Sequence, residues 1–416
     1  MKLFTDPQEI LAKTSLVDNF IEIVKIDSQS DETVETMPST VTQLDVQRVL
    51  QQKLAALSCT DIVLDENGYL FATFPGNVAD KPVIGLLAHV DTATDYPASG
   101  VKPQLHKNYD GAPIKLGNDI VIDPADSPEL KDCLGDTIIT ADGTTLLGAD
   151  DKAGVAAILA GLEMLKNDDS IPRPTLRIGF TPDEEIGKGA SKFDIERFAA
   201  FAAYTFDGGK PGELNAETFS ADGATVKFTG VAVHPGYAKD KMVNALRYAA
   251  KCLTECYPDE SPERTSGRNG FFHPLKIEGN ASEVKITFIL RDFDDALLAD
   301  RGRRLKELVA KIAAEEPRLQ TEVQIKEQYR NMAKWLKDKP EIAAKLDQAI
   351  KDAGLTPDSV PVRGGTDGSG LTAKGLPTPN VFCGAMLMHG PREWVSTRAM
   401  GLATCTMLNL VQRWAE

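Results

Sequence analysis

The sequence predicts an α/β protein with a mainly parallel sheet, helices on both faces of that sheet, and a smaller domain inserted into it. From Thr137 onward, strand-like runs alternate with helical patterns, which is typical of parallel sheets covered by helices. Between about 217 and 329 the order changes to β-α-β-β-α-β, the ferredoxin-like order of one small domain. After Tyr329 the first pattern resumes. We therefore expect a larger domain, made of residues 1–216 and 330–416, that is interrupted by a smaller one at 217–329.

The N-terminal part of the chain predicts helices, then a strand hairpin, then a buried strand. The first 58 residues follow a helical period, with a break expected around Asp27 to Ser39. The strands "DIVLDEN" and "YLFATF" follow, joined at Gly68. The run "PVIGLLA" predicts a strand buried on both faces, because no polar residue interrupts it. The next stretch, about 93–136, is rich in Pro, Gly and Asp and is expected to be irregular; such stretches often cover a functional site.

The remaining elements follow from the same periodicities. A helix is expected at about 152–166, followed by the strands "PTLRIGF" and "AAYTF". In the inserted domain the expected elements are the strand "GATVKFTGVAV", a helix over "KMVNALRYAAKCLTECY", the strands "FFHPLKIEG" and "SEVKITFIL", a helix at 294–314, and the strand "TEVQIKE". A helix near 339–353, the strand "TPNVFCG" and a helix near 397–415 complete the larger domain.

The charge balance limits the kinds of partner. The 416 residues include 46 Lys and Arg against 61 Asp and Glu, a formal net charge of −15. Nucleic acids and anionic membranes both require a basic face, so neither is an expected partner. No apolar run approaches the roughly 20 residues of a membrane span. The N-terminus has acids where a signal peptide would have its apolar core.

Six cysteines are scattered along the chain. Cys252 and Cys256 lie four residues apart in a helical pattern, but no second Cys pair or nearby His completes a zinc site. We therefore predict buried free thiols in a reducing compartment, and hence a cytoplasmic protein.

Five polar clusters follow strand-like or loop segments of the larger domain. They are His89 with Asp91, Asp150 with Asp151, Glu184 with Glu185, Asp207, and His389. Each cluster alone is ordinary turn or helix-capping chemistry. Ligands of open α/β sheets bind outside the carboxyl ends of the strands, so these side chains are expected to converge. Gathered carboxylates repel one another unless a cation lies among them. Imidazole with carboxylate suits zinc, manganese or cobalt.

The number of candidate ligands favours two metal ions. Five ligand positions exceed the needs of one tetrahedral zinc, whereas two ions that share a bridging carboxylate would use them all. One acid would then be free to accept a proton from an attacking water. Spacing alone does not decide between Asp150 and Asp151 as the bridge, or between Glu184 and Glu185 as the base.

These motifs, in this order, resemble the metallopeptidase family M20, and within it the tripeptide aminopeptidases of subfamily M20B. The resemblance runs from "PST" at 38–40 to the last helix. It rests on "HVDT", "ADGTTLLGADDKAG", "FTPDEEIGKGA", "YTFDGG", "VHPGYAKDKMVNAL", "ILRDFD" and "RGGTDG". It implies a di-zinc exopeptidase-like fold and the release of the N-terminal residue from tripeptides. Alternatives are a related M20 dipeptidase, carboxypeptidase or N-acyl amino acid deacylase, and a binding module without activity.

The resemblance also implies a role for each site residue of the larger domain. His89 and Asp207 would hold one divalent ion, and Glu185 and His389 would hold the other. Asp150 would bridge the two ions, which are expected to be zinc, with manganese or cobalt as alternatives. Asp91 would orient the imidazole of His89. Glu184 would be the general base for the water between the metals.

For the inserted domain, the resemblance implies a lid and homodimerisation module. His234 in "HPG" would stabilise the oxyanion of the scissile carbonyl. Asn244, Arg291 and Arg363 match positions that in relatives bind the backbone and the carboxylate of the peptide. A guanidinium suits a carboxylate because it offers two parallel N–H donors. One segment departs from the family pattern: "LMHGPREW" has Met388 where an aromatic residue is usual and Arg392 where a second His is usual. This departure affects the expected substrate preference rather than the metal site.

Overall fold

The computed structural model describes residues 2–416. The helices are, in chain order, α1 Pro7–Lys13, α2 Leu16–Val24, α3 Gln43–Ala56, α4 Ala149–Asn167, α5 Ile195–Phe198, α6 Ala245–Glu255, α7 Asp295–Ala313, α8 Ala333–Leu336, α9 Pro340–Asp352, α10 Asp367–Ala373 and α11 Thr397–Ala415. The strands are β1 Thr60–Leu64, β2 Leu70–Phe74, β3 Ile84–His89, β4 Gln104–His106, β5 Ile114–Lys115, β6 Val121–Ile122, β7 Ile138–Thr140, β8 Leu176–Thr181, β9 Ala202–Gly208, β10 Glu213–Asn215, β11 Ser220–Thr229, β12 Phe271–Gly279, β13 Glu283–Asp292, β14 Gln320–Tyr329, β15 Asp358–Ser359, β16 Asn380–Phe382, β17 Ala385–Met386 and β18 Trp394–Ser396.

The chain divides into two compact units. The first contains the chain up to Ala216 together with Trp335–Val360 and Thr366–Glu416, and the second contains Glu217–Lys334 and Pro361–Gly365. The second unit thus includes residues 330–334 and 361–365, which the sequence assigned to the larger domain. Hydrogen bonds account for this grouping: the Val362 N–H donates to the Glu217 carbonyl over 2.9 Å, and Asn331 Oδ1 accepts from the Thr218 N–H over 3.2 Å.

An eight-stranded sheet forms the centre of the first unit, in the order β1-β2-β8-β3-β9-β16-β10-β15. Four of its seven neighbouring pairs are parallel, including the central β8-β3-β9-β16 run. Alternate residues of β3 enter two different cores: Leu86 and Ala88 pack with α4 and α11, and Leu87 packs with aromatic residues beside α5. Helices therefore cover both faces, and the predicted α/β class is confirmed.

The stretch expected to be irregular, about 93–136, contains three short strands. β4 pairs with β7 in a small antiparallel sheet of order β17-β18-β7-β4, and β5 pairs with β6. Strands of two or three residues are too short to leave a clear period-2 pattern in the sequence, which explains why they were not predicted.

The second unit has a four-stranded antiparallel sheet in the order β12-β13-β11-β14. The chain order β11-α6-β12-β13-α7-β14 matches the predicted β-α-β-β-α-β order. Helices α6 and α7 cover one face, where residues such as Phe228, Ile286 and Leu305 form the core. The edge strand β12 exposes the apolar side chains of Leu275 and Ile277.

None of the helices formed by residues 2–416 combines the length and the apolar character that crossing a bilayer requires. All six cysteines are buried and free, as predicted.

Candidate metal centre

The polar clusters of the first unit meet at the carboxyl ends of its parallel strands. His89 ends β3, and Glu184 and Glu185 follow β8, while Asp207 lies near the end of β9. These three strands are parallel neighbours, so their carboxyl ends lie side by side. The loop after β7 brings in Asp150 at the start of α4. The predicted convergence of these side chains is therefore present.

The Asp150 carboxylate contacts both candidate histidine ligands. His89 Nε2 lies 3.0 Å from Asp150 Oδ1 and 3.5 Å from Asp207 Oδ1. His389 Nε2 lies 3.4 Å from Asp150 Oδ2 and 3.0 Å from Glu185 Oε2. Each oxygen of Asp150 thus faces a different histidine, which is the arrangement expected of a carboxylate shared by two ions.

Asp151, which spacing alone could not distinguish from Asp150, has different contacts. Its Oδ2 accepts the backbone N–H of His89 over 3.1 Å. Its Oδ1 is buried and has no hydrogen-bond partner among the described residues. Because it binds the backbone of β3 rather than the imidazoles, Asp151 supports the position of His89.

Asp91 organises the centre through several hydrogen bonds. Its Oδ1 lies 3.3 Å from His89 Nδ1, the ring nitrogen opposite the one that faces Asp150. The same carboxylate accepts the backbone N–H groups of Glu184 and Glu185 over 3.0 and 3.1 Å, and the Ser30 hydroxyl over 2.5 Å. His89 Nδ1 also lies 3.1 Å from the backbone carbonyl of Asp91, so Asp91 orients the imidazole through both its carbonyl and its carboxylate. The carboxylate also binds the backbone that carries both glutamates.

The donor set fits divalent cations. His89, Asp150 and Glu185 form one group of atoms close enough to share an ion, and His89, Glu184 and Asp207 form another, with all ligand atoms within 4.8 Å. Glu185 Oε1 is buried without a hydrogen-bond partner among the described residues. An unpaired buried carboxylate oxygen is costly unless a cation neutralises it. Nitrogen and oxygen donors without thiolate suit zinc, manganese or cobalt.

Burial weakens the acidity of the carboxyl groups. It raises the pKa of Glu185 to about 8 and that of Asp207 to about 6, and it raises the pKa of Glu184 well above its ordinary value. Asp150 is the exception: burial opposes its ionisation, but hydrogen bonds to His389 and His89 outweigh this and lower its pKa. The cluster therefore holds more potential negative charge than it can accommodate without counter-charge.

Protons on the imidazoles supply part of that counter-charge. Hydrogen bonds to Asp150 and Glu185 raise the pKa of His389 to about 11. Burial opposes protonation of His89, but hydrogen bonds to its neighbouring carboxylates outweigh burial and raise its pKa well above the ordinary value. A cation that binds here would replace these protons, because imidazole is a ligand only in its neutral form.

The remaining predicted site residues lie in the second unit. His234 is exposed, and its Nδ1 accepts the Gly236 N–H over 3.2 Å, which puts the proton of the neutral ring on Nε2. Asn244 is the N-cap of α6, where its Oδ1 accepts the Leu246 N–H over 3.0 Å and leaves the amide nitrogen as a donor.

The two predicted arginines differ in their contacts. Arg291 is partly buried and donates to the Leu290 carbonyl over 3.0 Å. Arg363 donates to the carbonyls of Gly267 and Asn269 over 2.7 and 2.8 Å, and to the Thr265 hydroxyl over 3.1 Å. In this conformation Arg363 holds the 265–269 loop.

Three acids that the sequence did not single out lie in or beside the centre. Asp95 Oδ2 lies 3.3 Å from His389 Nδ1, as Asp91 Oδ1 does from His89. Asp367 is buried, accepts the Thr181 hydroxyl over 2.6 Å, and has a pKa that burial raises to about 7. Glu393 is buried and accepts N–H groups of the loop that carries Asp150. Asp367 in "RGGTDG" and Glu393 four residues after His389 were visible as acids near motifs, but only the fold shows their partners.

The chain is similar to known peptidases over almost its whole length. A model of the peptidase family M20/M25/M40 matches residues 142–413. Peptidase T of Lysinibacillus sphaericus (strain C3-41) is 46% identical, over 97% of this chain and 99% of that protein. Peptidase T of Exiguobacterium sp. (strain ATCC BAA-1283 / AT1b) is 44% identical, with the same coverages.

Solved structures share the fold. The structure of a tripeptidase from Staphylococcus aureus subsp. aureus Mu50 matches with a TM-score of 0.78 at 23% identity, over 99% of each chain. The structure of aminopeptidase PepT from Bacillus cereus ATCC 10987 matches with a TM-score of 0.75 at 24% identity, over 96% of this chain and 98% of that one.

We predict that zinc binding to the metal-free protein at pH 7 releases at least two protons, and a further one from His89, whose pKa is also raised well above its ordinary value. His389 and Glu185 are mainly protonated at pH 7, because their pKa values are about 11 and about 8, and both must lose the proton to become ligands. Affinity for zinc should therefore rise with pH through about pH 8, where Glu185 loses its proton, and continue to rise toward pH 11, where His389 loses its own. Calorimetry in buffers of different ionisation enthalpy counts the protons. His106→Gln, a change outside the centre, should release the same number, and an enthalpy independent of the buffer would contradict the prediction.

Proposed function

Because the chain belongs to the peptidase family M20/M25/M40, we propose that it is a metal-dependent aminopeptidase that releases the N-terminal residue from tripeptides. The observation that carries this proposal is the cluster of two imidazoles and several carboxylates at one sheet edge. The relatives named peptidase T, the aminopeptidase and the tripeptidase support the reaction and the peptide length.

The proposed metal ligands divide into two sets. His89 and Asp207 would hold one divalent ion, Glu185 and His389 would hold the other, and Asp150 would be shared between the two sets. The contact of each Asp150 oxygen with a different histidine supports this division. Zinc is the proposed metal, and manganese and cobalt are the alternatives that the same ligands accept.

The chain's own residues would divide the work of peptide hydrolysis. When bound, the cations supply Lewis-acid activation of a water molecule and of the scissile carbonyl. Glu184 accepts the proton of the attacking water and returns it to the departing amine. Asp91 keeps the imidazole of His89 and the Glu184 backbone in place, through the contacts of 3.3 and 3.0 Å.

Four residues of the second unit are proposed to recognise the peptide. His234 Nε2–H would donate to the carbonyl oxygen as negative charge develops on it. Asn244 would bind the peptide backbone, and Arg291 and Arg363 would bind its carboxylate. Arg363 would have to exchange its bonds to the 265–269 loop for bonds to the substrate. The six free, buried thiols support a reducing compartment, which we propose to be the cytoplasm.

We predict that tripeptides with a free amino terminus are cleaved, and that their N-acetylated counterparts are cleaved roughly 100-fold more slowly or not at all, because the proposed aminopeptidase activity requires recognition of the free N-terminal amine, which acetylation removes. Liquid chromatography of the products of a dipeptide, tripeptide and N-acetyl-tripeptide panel measures this. Preference for the blocked peptide would instead identify an N-acyl amino acid deacylase.

We predict that isosteric changes at two adjacent residues affect different properties: the first lowers turnover, and the second weakens metal binding. Glu184→Gln should lower kcat by roughly 10²–10⁴-fold and keep both ions, because only the proton acceptor is lost. Glu185→Gln should weaken metal binding by roughly 100-fold or more, since losing a ligand costs more than the 10–100-fold typical of outer-sphere changes. Metal content by mass spectrometry and steady-state kinetics measure both effects. Metal loss in the Glu184 variant would reassign that residue as a ligand.

We also propose a homodimer formed through the second unit, supported by the exposed apolar side chains of the edge strand β12. The double change Leu275→Glu and Ile277→Glu should give a monomer by light scattering after size-exclusion chromatography. Val41→Glu, which alters an exposed apolar residue of the first unit, is the matched control and should leave the dimer intact. A wild-type monomer would overturn the proposal.

A further inference from the structure

The loop that carries Asp150 is held by one buried carboxylate. Glu393 Oε2 accepts the backbone N–H groups of Leu147 and Gly148, each over 2.8 Å, and Oε1 accepts the N–H of Asp150 over 3.0 Å. The Glu393 side chain is buried, and both of its oxygens are used. Hydrogen bonds to a carboxylate are roughly twice as strong as neutral ones.

The anchor of this carboxylate is itself rigid. Trp394, the next residue, begins β18 and pairs with Thr140 of β7. Its indole N–H donates to the Ser127 hydroxyl over 3.1 Å. Glu393 therefore reaches the 147–150 loop from the position just before β18, a strand that pairs with β17 on one side and β7 on the other.

Glu393 also connects two candidate ligands that lie far apart in the sequence. It follows His389 by four residues, within a turn closed by the Glu393 N–H and the Gly390 carbonyl at 3.2 Å. Gly148, whose N–H binds the Glu393 carboxylate, adopts a φ of +77°, a left-handed conformation that other residues rarely adopt. The segment that carries His389 is thus tied directly to the loop that carries Asp150.

We propose that Glu393 is a positioning residue that sets the Asp150 carboxylate between His89 and His389, and so controls the affinity of the centre for its metal ions. The proposal rests on the metal-binding role proposed for Asp150. Glu393 acts through backbone N–H groups and is not itself a ligand.

The test compares Glu393→Gln with wild type. In the glutamine side chain one oxygen becomes an NH₂ donor, so either the Asp150 N–H or the Leu147 and Gly148 pair faces another donor. Zinc and cobalt affinities of the metal-free protein, measured by chelator competition, should fall by roughly 10–100-fold, as is typical when a group that orients a ligand is changed. In the metal-free variant, amide exchange at 147–150 should become roughly tenfold faster by mass spectrometry.

Glu163→Gln is the matched control. Glu163 also accepts a backbone N–H, that of Ser15 over 2.8 Å, but it lies about 20 Å along α4 from Asp150. This variant should keep wild-type metal affinity. If Glu393→Gln does not fold, Glu393→Asp decides: its carboxylate is one methylene too short to reach all three N–H groups, so its metal affinity should fall at least severalfold.

Each outcome supports or overturns the inference. A folded Glu393→Gln protein whose metal affinity is within twofold of wild type overturns the inference. If the glutamine variant does not fold, a Glu393→Asp protein with wild-type metal affinity overturns it. In either case the proposed function still holds if the wild-type protein binds metal and cleaves tripeptides. Wild type that binds no zinc, cobalt or manganese overturns the inference together with the metal assignment.

Discussion

The structure of the first unit depends on one electrostatic constraint: several largely buried carboxylates crowd around two imidazoles. Asp150, Glu185 and Asp207 surround two imidazoles at separations of 3.0 to 3.5 Å. Such a group is stable only with positive charge inside it, as protons or as metal ions. The raised pKa values of His389, Glu185 and Asp207 reflect this constraint in the metal-free chain. One divalent cation supplies the positive charge of two protons to these carboxylates.

Further carboxylates act as supports: they accept backbone N–H groups and so hold the chain segments around the centre in place. Asp91 accepts N–H groups from Glu184 and Glu185, and Asp183 accepts the Ser39 N–H over 2.7 Å. Glu393 accepts three N–H groups from the Asp150 loop. Each of these bonds joins segments distant in the sequence. Close packing adds to the effect: a Cβ on Gly154 of α4 would lie 2.0 Å from the Phe206 carbonyl, so this glycine lets α4, which begins at the Asp150 loop, approach β9, which carries Asp207.

The sequence predicted the long elements and the converging acids, because both leave local patterns. Helix α11 was expected near 397–415 and spans Thr397–Ala415, and the β-α-β-β-α-β order of the second unit was also predicted. Asp91 was named from the resemblance as a partner of His89, but the supports Asp183 and Glu393 were not predicted, since a carboxylate that binds distant N–H groups leaves no periodicity or motif. Arg363 illustrates the opposite problem: its motif predicted a substrate contact, whereas its present partners are carbonyls 94–98 residues away in the sequence. The roles of the site residues stay predictions until the variants are measured.

The two histidines of the centre are not equivalent. The His89 side chain is 1% exposed and is oriented by Asp91, which is also buried, whereas the His389 side chain is 44% exposed and pairs with an Asp95 that is 65% exposed. Charge interactions are strong where water is excluded and weak where it is present. The half of the centre around His89 is therefore the rigid half, fixed by β3 and by Asp91. The half around His389 faces solvent, and its chain segment is joined to the Asp150 loop through the Glu393 carboxylate. The His389 side is thus the solvent-accessible side of the centre.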